Sequence, residues 1–200
     1  MDVINLFPIP VYKNNVSYKL SEQEYDYINS IDLNCTQENG TIQDGNNSIL
    51  DNPAFGNLKL LLQQELDVYS KQIFDYDCDV YITSSWLNIN STNTAHISHN
   101  HVNSVFSGVF YIDVTEESPG LTFINHRNPM FHITPRNFNN FNCQRGILKV
   151  NKGDVVIFPS ELFHEVSTNR TPTKRISLAF NSFIRGSIGD LNLSNYIEIK

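Results

Sequence analysis

The sequence predicts a mainly β (α+β) fold, a sandwich or barrel of strands with N-terminal helices packed on it. Three observations carry this. From residue 78 onward, short segments rich in Val, Ile, Phe, Tyr and Thr follow one another with no helical period between them. Turn-forming residues separate them, as at Ser118-Pro119-Gly120, Asn151-Lys152-Gly153 and Asn169-Arg170-Thr171-Pro172. Apart from one short N-terminal strand, helical stretches come before residue 78 and the strands after it, which argues against alternating βαβ units.

In chain order, Leu6-Phe7-Pro8-Ile9-Pro10-Val11-Tyr12 predicts a short edge strand, because two prolines exclude it from the centre of a sheet. Ser21 with Glu24 is a capping-box pair, placing a first helix over 22–31. Residues 35–52 are rich in Asn, Gly, Asp and Ser and predict a loop. Asn52-Pro53 opens a second helix. There Leu58, Leu61, Leu62, Leu66, Tyr69 and Ile73 recur at helical spacing, a stripe for packing on a sheet. Strands are then predicted over 80–88, 105–114, 121–125, 147–150, 154–158, 163–167 and 175–184. The interval from Arg127 to Arg145 is Asn-rich and aperiodic, the kind of long loop that covers a site. The 200 residues suit a single domain: 1–77 as N-terminal strand and supporting helices, 78–185 as barrel core, 186–200 as a C-terminal tail.

The net charge of −7 and the lack of a basic run leave no electrostatic footprint for duplex nucleic acid. Cys35, Cys78 and Cys143 are odd in number and widely spaced, which argues against a disulfide framework or a cysteine zinc site. The first residues lack a basic segment followed by an apolar run, and no stretch approaches the roughly 18 apolar residues of a membrane span. These features predict a soluble protein of a reducing, cytoplasmic compartment. Edge strands and the Asn-rich loop are compatible with a homodimer without requiring one.

Three features carry chemistry. His99 and His101 stand two apart before an apolar strand, so on a regular strand both would aim at one ion, as in a facial triad; paired histidines on a wet surface are the alternative. His96 falls at odd spacing and faces away from His99 if the strand is regular. His164 follows the apolar run 154–158 and a Pro-containing turn. It is either a satisfied core histidine or a third ligand. In Lys174-Arg175-Ile176-Ser177, Arg175 and Ser177 share one strand face. That face suits a carboxylate, through the guanidinium fork and the hydroxyl; a structural salt bridge at a barrel rim is the alternative. One strand, a turn and another strand return Arg175 beside His164.

Together these pieces resemble the Fe(II)/2-oxoglutarate dioxygenase superfamily, and more narrowly a group of oxygenases of bacteria and phages. The resemblance rests on Leu6-Phe7-Pro8-Ile9-Pro10-Val11, Ser85-Trp86-Leu87-Asn88, His99-Asn100-His101 leading into Ser107-Gly108-Val109-Phe110-Tyr111, Phe158-Pro159-Ser160 with His164, and Arg175-Ile176-Ser177 with Phe180-Asn181. It implies a double-stranded β-helix (jelly-roll) barrel. It implies Fe(II) on His99, His101 and His164, and 2-oxoglutarate held by Arg175 and Ser177. It further implies hydroxylation of a C–H bond in a peptidyl or small-molecule substrate, releasing succinate and CO2. Asn88 and Tyr81, on a strand expected to line the barrel, are further candidates for the 2-oxoglutarate site, as is Asn181. One departure matters: most of the superfamily has Asp or Glu where His101 stands. A carboxylate such as Asp113 or Glu116 could replace His101 as ligand. All-histidine sites also occur in cupin-like dioxygenases that use no 2-oxo acid, and a non-enzymatic jelly-roll binding module is the third reading. His126 and His132, flanking the long loop, are expected to be solvated or to face substrate, and Cys143 has no base placed to activate it.

Overall fold

The computed structural model describes residues 2–31, 41–43, 47–126, 131 and 133–199. Cys35 and His132 lie outside them. Helix α1 (Glu22–Ser30) begins where the capping box predicts. Ser21 Oγ accepts from the Glu24 N–H (3.3 Å) and Glu24 Oε2 accepts from the Ser21 N–H (2.6 Å), satisfying two donors the first turn would leave bare. The Asn52 side chain caps a short 3-10 turn, Pro53–Phe55, that leads into α2 (Gly56–Asp67). Leu58, Leu62, Leu66 and Tyr69 are fully buried. Ile73, expected in the same stripe, is exposed instead. The helix widens into a π turn over Val68–Ile73, which shifts the stripe's register, and Phe74 takes the place against Tyr69 and Phe106.

The strands in chain order are β1 (Tyr12–Asn15), β2 (Thr41–Gln43), β3 (Asp79–Asn90), β4 (His96–His99), β5 (Phe106–Asp113), β6 (Leu121–Ile124), β7 (Arg145–Leu148), β8 (Asp154–Pro159), β9 (His164–Val166), β10 (Arg175–Ile188) and β11 (Ile197–Ile199). Among the described residues, a major sheet runs in the order β1-β8-β5-β10-β3-β2, with β11 added to β10, and a minor sheet runs β4-β9-β6-β7. All pairs are antiparallel. Two such sheets face to face form the jelly-roll.

Two expectations are corrected. The edge strand begins at Tyr12, after the prolines rather than across them. Pro8 and Pro10 have no N–H to give, Phe7 has φ 57°, and pairing with β8 starts only past them. Of the segment 186–200 expected as a tail, residues 186–199 fold back instead: β10 continues to Ile188 and β11 pairs with Gly186–Ile188.

Both faces of the major sheet are covered, which is why β5 and β8 read as near-continuous apolar runs rather than alternating ones. Phe106, Phe110, Ile112, Val155, Ile157, Leu178 and Phe180 pack outward against the helices. Val109, Tyr111, Val156, Phe158 and Ala179 pack inward, toward the minor sheet. Gly108 lies opposite Phe180, and a Cβ there would lie 2.1 Å from the ring. The glycine is what lets that ring cross β5. No helix among the described residues is long and apolar enough to cross a membrane.

Candidate metal centre and anion pocket

His99 is the last residue of β4 and His164 the first of β9, and the two are direct partners in the ladder. His101 does not share their strand, contrary to the expectation of i, i+2 alternation. It lies two residues past the end of β4, held by its own N–H on the Ser160 carbonyl (3.0 Å). The three rings still converge. Centroid distances are 4.4 Å for His99–His164, 5.0 Å for His101–His164 and 5.2 Å for His99–His101. One donor nitrogen from each lies within 4.8 Å of the others, and no carboxylate joins them among the described residues. Asp113 is instead solvent-exposed and 3.8 Å from Lys152, and Glu116 is exposed on the following turn.

Each of the three has its Nδ1 against an acceptor. His99 faces Ile97 O (2.8 Å), His164 faces Leu162 O (2.9 Å), and His101 faces Asn181 Oδ1 and Ser107 Oγ (both 2.7 Å). An Nδ1–H donated to these acceptors leaves the Nε2 lone pair free, the pattern that orients histidines on metals. Burial, then the neighbouring His99, push His101 down to about 4. Burial pushes His164 down to about 3, with the Leu162 carbonyl opposing and the neighbouring imidazoles adding. Both are neutral near pH 7, as a metal ligand must be.

His96 is also corrected. It does not face away from His99 but stacks on it, with centroids 4.5 Å apart. The ladder pairs His96 with Val166 and His99 with His164, so β4 carries one residue more than β9 between the two bridges. That bulge turns His96 onto the face of His99. A cleft of about 330 Å3 opens in front of His99 and His101, walled by Asn47, Ser84, Trp86 and Asn181.

The other end of the interior is an anion pocket. Arg175 is 2% exposed, donating from Nε to Pro119 O (3.1 Å) and from one terminal nitrogen to Asn90 Oδ1 and Ser177 Oγ (both 3.4 Å). Its guanidinium stands 5.1 Å from the Tyr111 ring centroid. No carboxylate pairs with it among the described residues, so the salt-bridge alternative does not hold. Burial lowers its pKa, with Tyr111 opposing. A buried cation costs several kcal/mol, roughly, unless an anion meets it. Two further polar atoms of the interior are buried with no partner at hydrogen-bond distance among the described residues: Tyr111 Oη, which still feels the Arg175 guanidinium beside it, and Trp86 Nε1 at the histidine cleft. Burial pushes the Tyr111 phenol up to about 12, the Arg175 charge opposing it, so the hydroxyl keeps its proton. Arg175 and the histidine group belong to one interior, since Arg175, Ser177 and Asn181 alternate along one face of β10 and Asn181 contacts His101.

Asn88 stands opposite Ser177 on β3, buried on the inward face. Tyr81 does not reach this pocket. It pairs with Phe183 beyond a register irregularity and lies under the Arg185 guanidinium (4.5 Å). Asn90, not Tyr81, is opposite Arg175, and from there to Tyr81 is roughly 30 Å of strand. Asn181, a candidate for the same pocket, instead contacts His101 and Ser107. Asn90 was not singled out from sequence, and Tyr111 and Trp86 carried the resemblance without a site role. The signal was there in period-two polarity: Ser84, Trp86, Asn88 and Asn90 along β3 share a face with Arg175 and Ser177. His126 is exposed, its ring edge on Phe163 (4.3 Å), and Cys143 is a free thiol.

A jelly-roll whose interior joins converging imidazoles to an uncompensated guanidinium is the architecture of a mononuclear metal oxygenase. Residues 84–181 match the model of a family described as "Putative 2OG-Fe(II) oxygenase", so this stretch is similar to the 2OG-Fe(II) oxygenases. Solved structures show the same fold at low identity. HygX from Streptomyces hygroscopicus, crystallised with nickel, 2-oxoglutarate and hygromycin B, is 14% identical over 87% of this chain and 82% of its own, with a TM-score of 0.59. A prolyl-4-hydroxylase from Pseudomonas putida is 13% identical over 89% of this chain and 94% of its own, with a TM-score of 0.57. A 2OG-Fe(II) oxygenase family oxidoreductase from Burkholderia pseudomallei is 14% identical over 86% and 83%, with a TM-score of 0.56. No curated protein matches the sequence.

Proposed function

We propose that the chain is an Fe(II)- and 2-oxoglutarate-dependent dioxygenase that hydroxylates a C–H bond of a peptidyl or small-molecule substrate. The observation that carries this is Arg175: a buried guanidinium with no acid among the described residues, in the same interior as three converging imidazoles. Such a cation calls for an anion that the described residues do not supply.

His99, His101 and His164 would hold the iron through Nε2. Arg175 and Ser177 would take the far carboxylate of 2-oxoglutarate, and the unpartnered Tyr111 hydroxyl stands ready to donate to it. Bound together, iron and 2-oxoglutarate supply the oxidative decarboxylation to succinate and CO2 that is coupled to oxidation of the substrate. The chain's part is to keep His101 and His164 neutral, aim the imidazole lone pairs and keep water out. Asn47, Ser84, Trp86 and Asn181 wall the cleft with uncharged groups, which favours a substrate presenting an uncharged, hydrogen-bonding group beside the reacting carbon. A second reading has one observation in its favour, the all-histidine donor set. It is a metal dioxygenase without 2-oxoglutarate, with Arg175 holding the substrate's own carboxylate.

Anaerobic titration of the Fe(II)-loaded protein with 2-oxoglutarate, followed by visible absorption, tests this. The expected result is a charge-transfer band that needs 2-oxoglutarate, weakens in Arg175→Ala and is altered in His101→Ala. Iron bound without such a band would favour the second reading, and no iron at all would remove both.

A further inference from the structure

Of the three histidines, His101 alone has no ladder to hold its ring, because β4 ends before it. His99 and His164 set their tautomers with backbone carbonyls. At His101 Nδ1 the neighbours are side chains of the opposite sheet, Asn181 Oδ1 and Ser107 Oγ, both at 2.7 Å. Asn181 sits in the middle of β10, opposite Ser107 on β5 and Ser84 on β3, and points across the interior. We propose that Asn181 is the positioning residue for His101, fixing the tautomer that makes it a metal ligand. The proposal rests on the metal reading above.

The argument is a count of protons. A serine hydroxyl can donate or accept, so Ser107 alone would leave either His101 tautomer open. If Ser107 donated to Nδ1, the ring proton would move to Nε2 and close the nitrogen that faces the other imidazoles. An amide oxygen can only accept. Oδ1 at 2.7 Å from Nδ1 therefore requires the proton on Nδ1 and the lone pair on Nε2. The hydroxyls behind Ser107 agree. Ser104 donates to Phe106 O (3.0 Å) and Ser160 to Ser104 Oγ (2.7 Å). Ser160 then has no proton for Ser107, whose own proton goes to Asn181 Oδ1 or Ser160 Oγ (both 2.8 Å), away from the imidazole. One amide oxygen thus collects the His101 proton and can collect the Ser107 proton as well.

The test is proton NMR of the full chain loaded with Co(II), which shifts the exchangeable N–H protons of ligating imidazoles out of the protein envelope. The native chain is expected to show three such signals. Asn181→Asp puts an obligate acceptor in the same place, so three signals persist, one is displaced, and Co(II) binds at least as tightly. Asn181→Leu should lose or broaden one signal and weaken Co(II) roughly 10- to 100-fold, the usual range for removing a group that orients a ligand. Ser107→Ala should keep all three. Three unmoved signals with native affinity in Asn181→Leu would overturn the proposal, as would loss of Co(II) in Asn181→Asp. So would loss of the signal in Ser107→Ala, which would hand the role to the serine. If Asn181→Leu does not fold, the displaced signal in Asn181→Asp, or its absence, decides. A native chain that binds no Co(II) fails at the metal reading itself, and that result is distinct from all of these.

Discussion

The two faces of the major sheet follow different rules. On β5 and β10 the even-numbered residues Phe106, Phe110, Ile112, Leu178 and Phe180 face the helices and bury only carbon against Leu58, Leu62, Leu66 and the Tyr69 ring. The odd-numbered residues Ser107, Tyr111, Arg175, Ser177 and Asn181 face the minor sheet and carry almost all the unusual polar chemistry. The outer face is close-packed and needs nothing further. On the inner face, among the described residues, a cation lacks an acid and two donors lack acceptors. A strand with period two can therefore hold the fold on one face and a ligand site on the other. The chain tolerates unsatisfied groups only where a ligand is to satisfy them.

The largest expected contrast comes from one substitution on each side. His164→Ala should lower Fe(II) affinity more than about 100-fold, since even groups behind a ligand cost 10–100-fold when removed. Leu62→Ala should leave metal stoichiometry intact while costing about 2–5 kcal/mol of stability, the price of a cavity at a fully buried leucine. Metal titration and urea unfolding of both variants check this. Equal loss of stability and of metal in either one would erase the division between the faces.

Arg175→Met separates ligand binding from folding on the inner face alone. A charge pair truncated at one end loses about 2–5 kcal/mol, so calorimetric 2-oxoglutarate binding should fall by a factor on the order of 100. Without ligand, the variant should be as stable as the native chain or more so, because replacing an uncompensated buried charge by carbon relieves a desolvation cost. A clear drop in the ligand-free urea midpoint would mean that Arg175 belongs to the fold.

Acid separates the faces too, because all the strongly displaced histidines lie inside. The ordinary imidazole pKa of 6.5 falls to about 4 at His96 and His101 and to about 3 at His164. The unfolded chain therefore takes up protons first. The stability these groups contribute to the metal-free protein is full above pH 6.5 and falls as pH drops from 6.5 towards 3. Urea midpoints at pH 7.5 and 5 should show the loss, and Leu62→Ala should show the same slope from a lower start. A flat native profile would mean that the histidines are more open to water than their burial indicates.

The outer face was legible in the sequence and the inner one only partly. Turn residues at Ser118-Pro119-Gly120, Asn151-Lys152-Gly153 and Asn169–Pro172 marked β3 and the strands from β5 to β10 to within a few residues, whereas β4 was not among the predicted strands. The reciprocal Ser21–Glu24 bonds were readable because a capping box is local. What escaped is set by irregularities with no one-dimensional signature. The extra residue in β4 brings His96 onto the face of His99 and leaves His101 beyond the strand. The irregular register at Asn181/Ser182 precedes the Tyr81–Phe183 pair, and Tyr81 ends far from Arg175. Tyr111 was hidden for another reason: within an apolar strand a tyrosine reads as core, and only the contacts around it show its hydroxyl bare.

Tyr111→Phe gives the smallest effect and the finest test of the comparison, because it removes one oxygen and keeps the ring beside Arg175. That oxygen is fully buried, and although the Arg175 guanidinium approaches it, its own O–H finds no acceptor among the described residues, a condition that costs about 1–3 kcal/mol. Removing it should raise ligand-free stability by about 1 kcal/mol, since the cation retains the ring face and the cost of the bare hydroxyl disappears. The same change should weaken 2-oxoglutarate binding several-fold, because a donor to its carboxylate is gone. The two effects have opposite signs, and a core tyrosine would give neither pattern. A hydroxyl quietly hydrated in solution would show as a loss of stability, and one remote from the ligand as unchanged binding. Measured side by side by urea midpoint and calorimetry, they ask whether the strain on the inner face is held in reserve for the ligand.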